Sequence, residues 1–526
     1  MSASARRPVL TADALQQVLA AQPLPRLELL PVTADSHPFN GAAWQNEPID
    51  LGEHGYVEEE YLVSGTANVY DWVAYSDFDA RILRHAPYTT RILVRRPEER
   101  SAWSGRVVVE FINAATRYDW TAIWSSLWEQ LLAKHDVYIG ITARPVVFPS
   151  LQKFDPVRYA TLSMANPLPP GQQAGGTNPS DPDYDPNYSR LYENGLIWDI
   201  VTQAGRLLKS GSAANPLGQP ADLVILSGES EQAEYLCTYY KWFTPAAKLA
   251  GGTPIFDGYL AECLLLGDPQ ALFPFFTAAP INQTAPVVTP LPADDPQLGW
   301  VPARSIPWIG LNSQWDYAAA RGLDPPVNHN DDHHKAVFWE LAGCHHGWAW
   351  QYLYGDACAD DLIRAGFWDP ATYDWSCTVN NPEVPLYMAE KAAYEDLSSW
   401  ITDGTAPPMP PPIRNRPKDE SIPYATFRDS PSYNSFDIAE GGLRLPMVDV
   451  PICSYGMARG ALHPPSGLDQ IVPFGPDTLY SLYGSKAEYV CKYESAALGL
   501  VERRYLLPSD AVTLVAQARE VTCFSG

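Results

Sequence analysis

The sequence predicts an α/β fold, a mostly parallel central sheet with helices on both faces, preceded by N-terminal strands and carrying a large cap or insertion region. Three observations predict it. Near-continuous apolar runs of strand length recur along the chain, segments of helical period alternate with them, and 526 residues exceed what one hydrophobic core usually spans.

The first elements are β-like. Glu60 to Val69 (EYLVSGTANV) and Thr90 to Val94 (TRILV) are rich in β-branched and aromatic residues and are bounded by turn formers, which predicts antiparallel strands leading into a sheet. The pattern changes at Arg106. RVVVEFIN is apolar almost throughout, as a strand covered on both faces must be. Trp120 to Lys134 repeats apolar residues at helical spacing (Ile123, Leu127, Leu131), and Val137 to Thr142 (VYIGIT) is a second buried strand. After a Pro, Gly, Asn and Asp-rich loop at about 167–187, a helix face follows in Ile197, Ile200, Val201, Ala204, Leu207 and Leu208. Leu223 to Leu226, Pro254 to Leu260, Ile306 to Leu311 and Val337 to Leu341 read as further strands.

Beyond Phe367 the periodicity weakens and prolines crowd in, ending in PPMPPP at Pro407 to Pro412. Helical pattern returns in Asp477 to Leu498 and Pro508 to Glu520. The division expected is 1–366 for the core with its N-terminal strands, 367–471 for a Pro-rich cap or lid, and 472–526 for C-terminal helices packing on the core.

Composition narrows the partners. The 36 basic and 61 acidic residues leave a net charge of -25, which repels phosphate backbones and anionic lipid surfaces, so nucleic acid is not expected. No run of about 18 apolar residues suggests a membrane span. The first 21 residues lack the unbroken apolar stretch of a signal peptide, so a cytoplasmic protein is expected, with oligomeric state left open. Eight cysteines without a CxxC pair read as buried thiols, with a few disulfides as the alternative. The histidine-rich run NHNDDHH (Asn328 to His334) lacks metal-ligand spacing, no glycine-rich phosphate loop follows a strand, and no metal or organic cofactor is expected.

The chemistry-bearing segment is LVILSGESEQAEYL. A buried strand, Gly228, Ser230 and a helix-compatible run form a turn that exposes a strained serine hydroxyl at the strand end. The second glycine of the usual signature is replaced by Gln232, and a helix-capping serine is the competing reading. Such a nucleophile needs an acid and then a base further along the chain. Asp316, just past the strand SIPWIGLNS, is the first choice of acid, followed by Asp257 and Asp324. Behind the strand VFWEL come His345 and His346.

Together these segments resemble the large bacterial and fungal alpha/beta-hydrolase-domain proteins, which are serine esterase-like enzymes. The resemblance runs from about Arg106 to the C-terminus through RVVVEFINAATRYDW, VRYATL, GESEQAEYL, FDGYL, WELAGCHHG and GGLRLPMVDVPICSYG. It implies an α/β-hydrolase fold with Ser230 as nucleophile and His346, rather than His345, as base. It further implies an oxyanion hole made from the backbone N–H groups of Ala114 and Glu231, beside Asn113. Two segments depart from the family: Gln314 stands where a glutamate is usual, and at the elbow Glu231 and Gln232 stand where Gln and Ser are usual.

The expected activity is hydrolysis of a carboxylic ester or lactone through an acyl-enzyme. An acyltransferase or transesterase acting on a secondary metabolite, and a catalytically silent protein that binds a hydrophobic ligand, are the alternatives. Among 17 Trp and 29 Tyr, Tyr118, Trp120, Trp315, Trp348 and Trp350 flank these loops, and with Asn113 they are candidates to contact a bulky apolar or aromatic small-molecule ester; core packing is the competing role.

Overall fold

The computed structural model describes residues 9–74, 79–168, 191–264, 281–282, 301–319, 327–344, 346, 356–366, 384–414, 431–436, 438–455 and 471–524. The chain divides into two compact units. One comprises Met1–Tyr259, Pro274–Val301 and Tyr352–Tyr373; the other comprises Leu260–Phe273, Pro302–Gln351 and Asp374–Gly526.

In the first unit, helix α1 (Ala12–Ala21) starts at Thr11, whose hydroxyl accepts the Ala14 N–H. It precedes the strands β1 (Arg26–Leu30), β2 (Tyr56–Ala74) and β3 (Asp79–Pro97). The two N-terminal strands expected from composition are thus present but far longer, 19 residues each. Turn formers such as Gly65 and Pro87 stay inside them because long-range pairing, not local propensity, decides the strand ends: Gly65 lies opposite Tyr88, whose ring fills the space a side chain would take.

The parallel part follows as β4 (Arg106–Ile112), α2 (Ala122–Ala133), β5 (Val137–Thr142), α3 (Phe148–Phe154), α4 (Ile197–Leu208), β6 (Leu223–Glu229) and α5 (Glu231–Thr238). The strand order is β1-β2-β3-β5-β4-β6, antiparallel as far as β5 and parallel through β5, β4 and β6. β5 and β6 are buried at every residue, which is why they read as unbroken apolar runs. α2 is capped from inside the sheet. Glu110 on β4 accepts the N–H groups of Ile123 and Trp124 and the Tyr138 hydroxyl, placing a carboxyl at the positive end of the helix.

β7 (Gly258–Glu262) begins in the first unit and ends in the second. The expected start at Pro254 is four residues too early, because Ile255 and Asp257 bond to Ala247 and Val224 ahead of the strand.

In the second unit, β8 (Trp308–Ser313) pairs in parallel with β10 (Lys335–Leu341), and the short β9 (His329–Asn330) pairs antiparallel with β10. Helix α6 (Gln314–Ala319) leaves the end of β8 without a break. The histidine run makes a turn: the Asp331 carboxylate accepts from the His333 and His334 N–H groups, and the His329 and His334 rings stack at 3.8 Å.

The described parts of 367–471 are built into this unit. The helix Leu386–Thr402 is buried along most of its length, and Leu443 bonds to the backbone of Glu340 and Ala342 at the end of β10. The C-terminal helical pattern resolves into Pro476–Tyr483, Lys486–Glu502 and Pro508–Glu520, the first two separated at Gly484 with φ 74°. Among the described residues no helix is long and apolar enough to cross a membrane. Seven cysteines are described, none in a disulfide, and five of them are buried.

Candidate active site

At the end of β6 the chain turns sharply through Ser230, at φ 54° and ψ -121°, and enters α5. No ordinary turn or helix start needs a non-glycine residue there, so the strain is specific to this position. The Ser230 side chain makes no helix-capping hydrogen bond; its carbonyl, not its hydroxyl, serves the first turn by accepting from Ala233 and Glu234. Gly228 is required by the same turn. A Cβ there would lie 2.7 Å from the Gln232 carbonyl oxygen, so the glycine two residues before the serine is what lets strand and helix close on each other.

The loop after β4 is fastened to this elbow. Asn113 donates through Nδ2 to the Glu229 carbonyl (3.1 Å) and to its carboxylate (2.5 Å), and its Oδ1 accepts the Ala115 N–H (2.8 Å). Asn113 and Trp120 exchange backbone hydrogen bonds at 3.1 Å, closing the loop between them, with Arg117 at φ 67°. Asp119 anchors it from below through Arg91 (2.8 Å), a fully buried guanidinium that also holds Glu60 at 2.6 Å. Tyr118 and Trp120 are both buried within the first unit.

Glu231, the first residue of α5, carries a carboxylate beside this turn. It pairs with Arg144, which follows β5 and whose side chain is wholly buried. Glu234, one turn on, is a buried acid; burial and the Glu231 charge push its carboxyl well above the usual range, against the pull of Arg144.

In the second unit the acid and the base expected from the sequence meet. Asp316, on the first turn of α6, accepts from His346 Nδ1 at 2.6 Å and from the Ser313 N–H at 2.8 Å, and the Ser313 hydroxyl accepts the Asp316 N–H. Burial by itself would raise the Asp316 carboxyl, but the His346 charge and these hydrogen bonds outweigh it and hold the group below its ordinary range. The Trp315 ring packs against His346 with centroids 5.1 Å apart. Gln314 is structural: its Oε1 accepts the N–H groups of Gly343 and Ala439, tying the histidine loop to the end of β8.

Of the other acids, Asp257 stands before β7, accepting from Lys209 (2.6 Å) and the Val224 N–H (2.7 Å) at the opposite end of the strands from Ser230. That removes it as a candidate. Asp324, His345, Trp348 and Trp350 lie outside the described residues. Arg144 and Arg91 escaped the sequence reading, because a lone arginine after an apolar run carries no local signal of what it faces.

A profile of the alpha/beta hydrolase domain matches residues 21–516. The chain belongs to the alpha/beta hydrolase family. No curated protein is significantly similar to this alpha/beta hydrolase. Among solved structures, the apo form of esterase 2 from Thermogutta terrifontis matches with 10% identity, 53% of this chain, 90% of that one and a TM-score of 0.26. A putative carboxylesterase from Lactobacillus plantarum matches at 12%, 53%, 81% and 0.24. A fungal esterase structure from Rhizomucor miehei matches at 12%, 68%, 96% and 0.29.

Proposed function

We propose that this alpha/beta hydrolase is a serine hydrolase that cleaves a carboxylic ester or lactone. The observation that carries the reading is Ser230, held in a strained turn between a buried strand and a helix with its hydroxyl unused for capping. In this reading His346, oriented by Asp316, takes the Ser230 proton as the hydroxyl attacks the carbonyl carbon. The N–H groups of Ala114 and Glu231 receive the negative oxygen. Collapse of the tetrahedral adduct breaks the ester C–O bond, with His346 returning the proton to the leaving alcohol, and water then releases the acid by the reverse roles.

Supporting this assignment are the chain order Ser, Asp, His, the 2.6 Å His346 to Asp316 bond, and the anchoring of the Asn113 loop on Glu229. Trp315, packed on His346, is the proposed wall for an apolar or aromatic ester.

The test is labelling by a fluorophosphonate, read by intact mass, together with turnover of p-nitrophenyl esters. Wild type is expected to take one adduct and turn over, and Ser230→Ala and His346→Ala to do neither. A folded wild type that takes no label and shows no turnover rejects the reading.

A further inference from the structure

The oxyanion donor proposed at the elbow belongs to a residue whose own side chain is an anion. A carboxylate at that position works against catalysis, since the negative charge on the substrate oxygen would develop beside it. Among the described residues, one positively charged side chain is paired with it. Arg144 reaches Glu231 from the loop after β5, lies with its guanidinium 5.4 Å from the Tyr235 ring centroid, and touches Asn194 Oδ1 at 3.4 Å. It therefore grips α5 at positions 231 and 235, one turn apart, while its side chain is wholly shielded from water. The Glu231 side chain is 17% exposed, but its carboxylate is not turned to solvent: one oxygen, Oε1, meets the guanidinium and the other, Oε2, is buried.

Resting on the serine-hydrolase reading above, we infer that Arg144 is a positioning residue of the nucleophile elbow: through Glu231 it cancels the carboxylate charge beside the oxyanion site and holds the Glu231 peptide N–H in place. A buried guanidinium bound to the Glu231 carboxylate offsets that charge in the first turn of α5, which favours an anion at the helix N-terminus. Burial and the Glu231 charge raise the Glu234 carboxyl, which disfavours a second anion in the same turn.

The experiment compares Arg144→Met, Arg144→Lys and the double variant Arg144→Met with Glu231→Gln, each checked for folding by circular dichroism, with Ser230→Ala as control. The readout is kcat and KM on one p-nitrophenyl ester. Arg144→Met exposes the oxyanion to an uncompensated carboxylate, and kcat is expected to fall roughly 10- to 100-fold with KM within about twofold. Arg144→Lys, which keeps the charge and loses the fork, is expected to fall between. Removing the carboxylate as well, in the double variant, should restore most of kcat; a merely structural arginine predicts no such rescue. A folded Arg144→Met or Arg144→Lys with wild-type kcat, or a double variant no faster than Arg144→Met, overturns the inference while leaving Ser230 as nucleophile. Turnover that survives in Ser230→Ala overturns the hydrolase reading and the inference with it.

Discussion

Replacing Asp316 by Asn tests how much the acid contributes to the proposed triad. In the structure its Oδ1 lies 2.6 Å from His346 Nδ1, and the carboxyl is wholly buried and held on its ionised side. When His346 takes the serine proton, the charge centres of imidazolium and carboxylate stand about 4 Å apart, which at an effective dielectric of about 20 gives about 4 kcal/mol. Losing that interaction slows acylation roughly 10³-fold, since each 1.36 kcal/mol is a factor of about ten. Asparagine also presents an N–H to Nδ1 and so favours the wrong imidazole tautomer, which deepens the loss. The assay is pre-steady-state and steady-state hydrolysis of a p-nitrophenyl ester near neutral pH, with the fluorophosphonate labelling rate as a second readout. The expected outcome is a kcat lower by about three orders of magnitude with a normal circular dichroism spectrum. A folded Asp316→Asn enzyme that keeps more than about a tenth of wild-type kcat would show that the bond does not serve the chemistry.

Two further outcomes follow from the fold that carries the site. Gly228→Ala places a Cβ 2.7 Å from the Gln232 carbonyl oxygen and 2.8 Å from its carbon. It should lower stability by about 1–3 kcal/mol and reduce kcat as Ser230 is displaced; a Tm within about a degree of wild type by calorimetry rejects the close-packing account. Glu110 has its carboxyl pushed up to about 7 from an ordinary 4.5, by burial and against its hydrogen bonds. The folded state therefore holds a proton that the unfolded state gives up, so the contribution of Glu110 to stability is full below about pH 4.5 and declines as pH rises towards about 7, by about 3 kcal/mol in all. Glu110→Gln should flatten the fall in Tm over that range, and an unchanged slope counts against the raised carboxyl.

How much of this was legible in one chain of letters depends on how local each cause is. β5 and α4 could be placed to the residue from VYIGIT and from the spacing of Ile197 to Leu208, because burial on every face, or on one stripe, writes its period directly into the sequence. The elbow was legible for the same reason: strand, Gly228, Ser230 and helix are contiguous. The order of acid and histidine behind two strand ends was also visible, as was the departure at Gln314.

The rest depended on partners far apart in the chain. Asp316 and Asp257 read alike as carboxylates near strand ends, and only packing gave one His346 and the other Lys209. Gln314 departs from the family pattern by sequence, and its side-chain carbonyl accepts the N–H groups of Gly343 and Ala439 from loops distant in the chain. Glu231 meets a buried guanidinium, and that residue, Arg144, lies 87 residues away. Period and propensity report which way a residue faces along its own element. Which side chain meets which is decided by loops brought together as strands pair and helices bury their apolar faces, and Glu231, Asp316 and Gln314 find their partners that way.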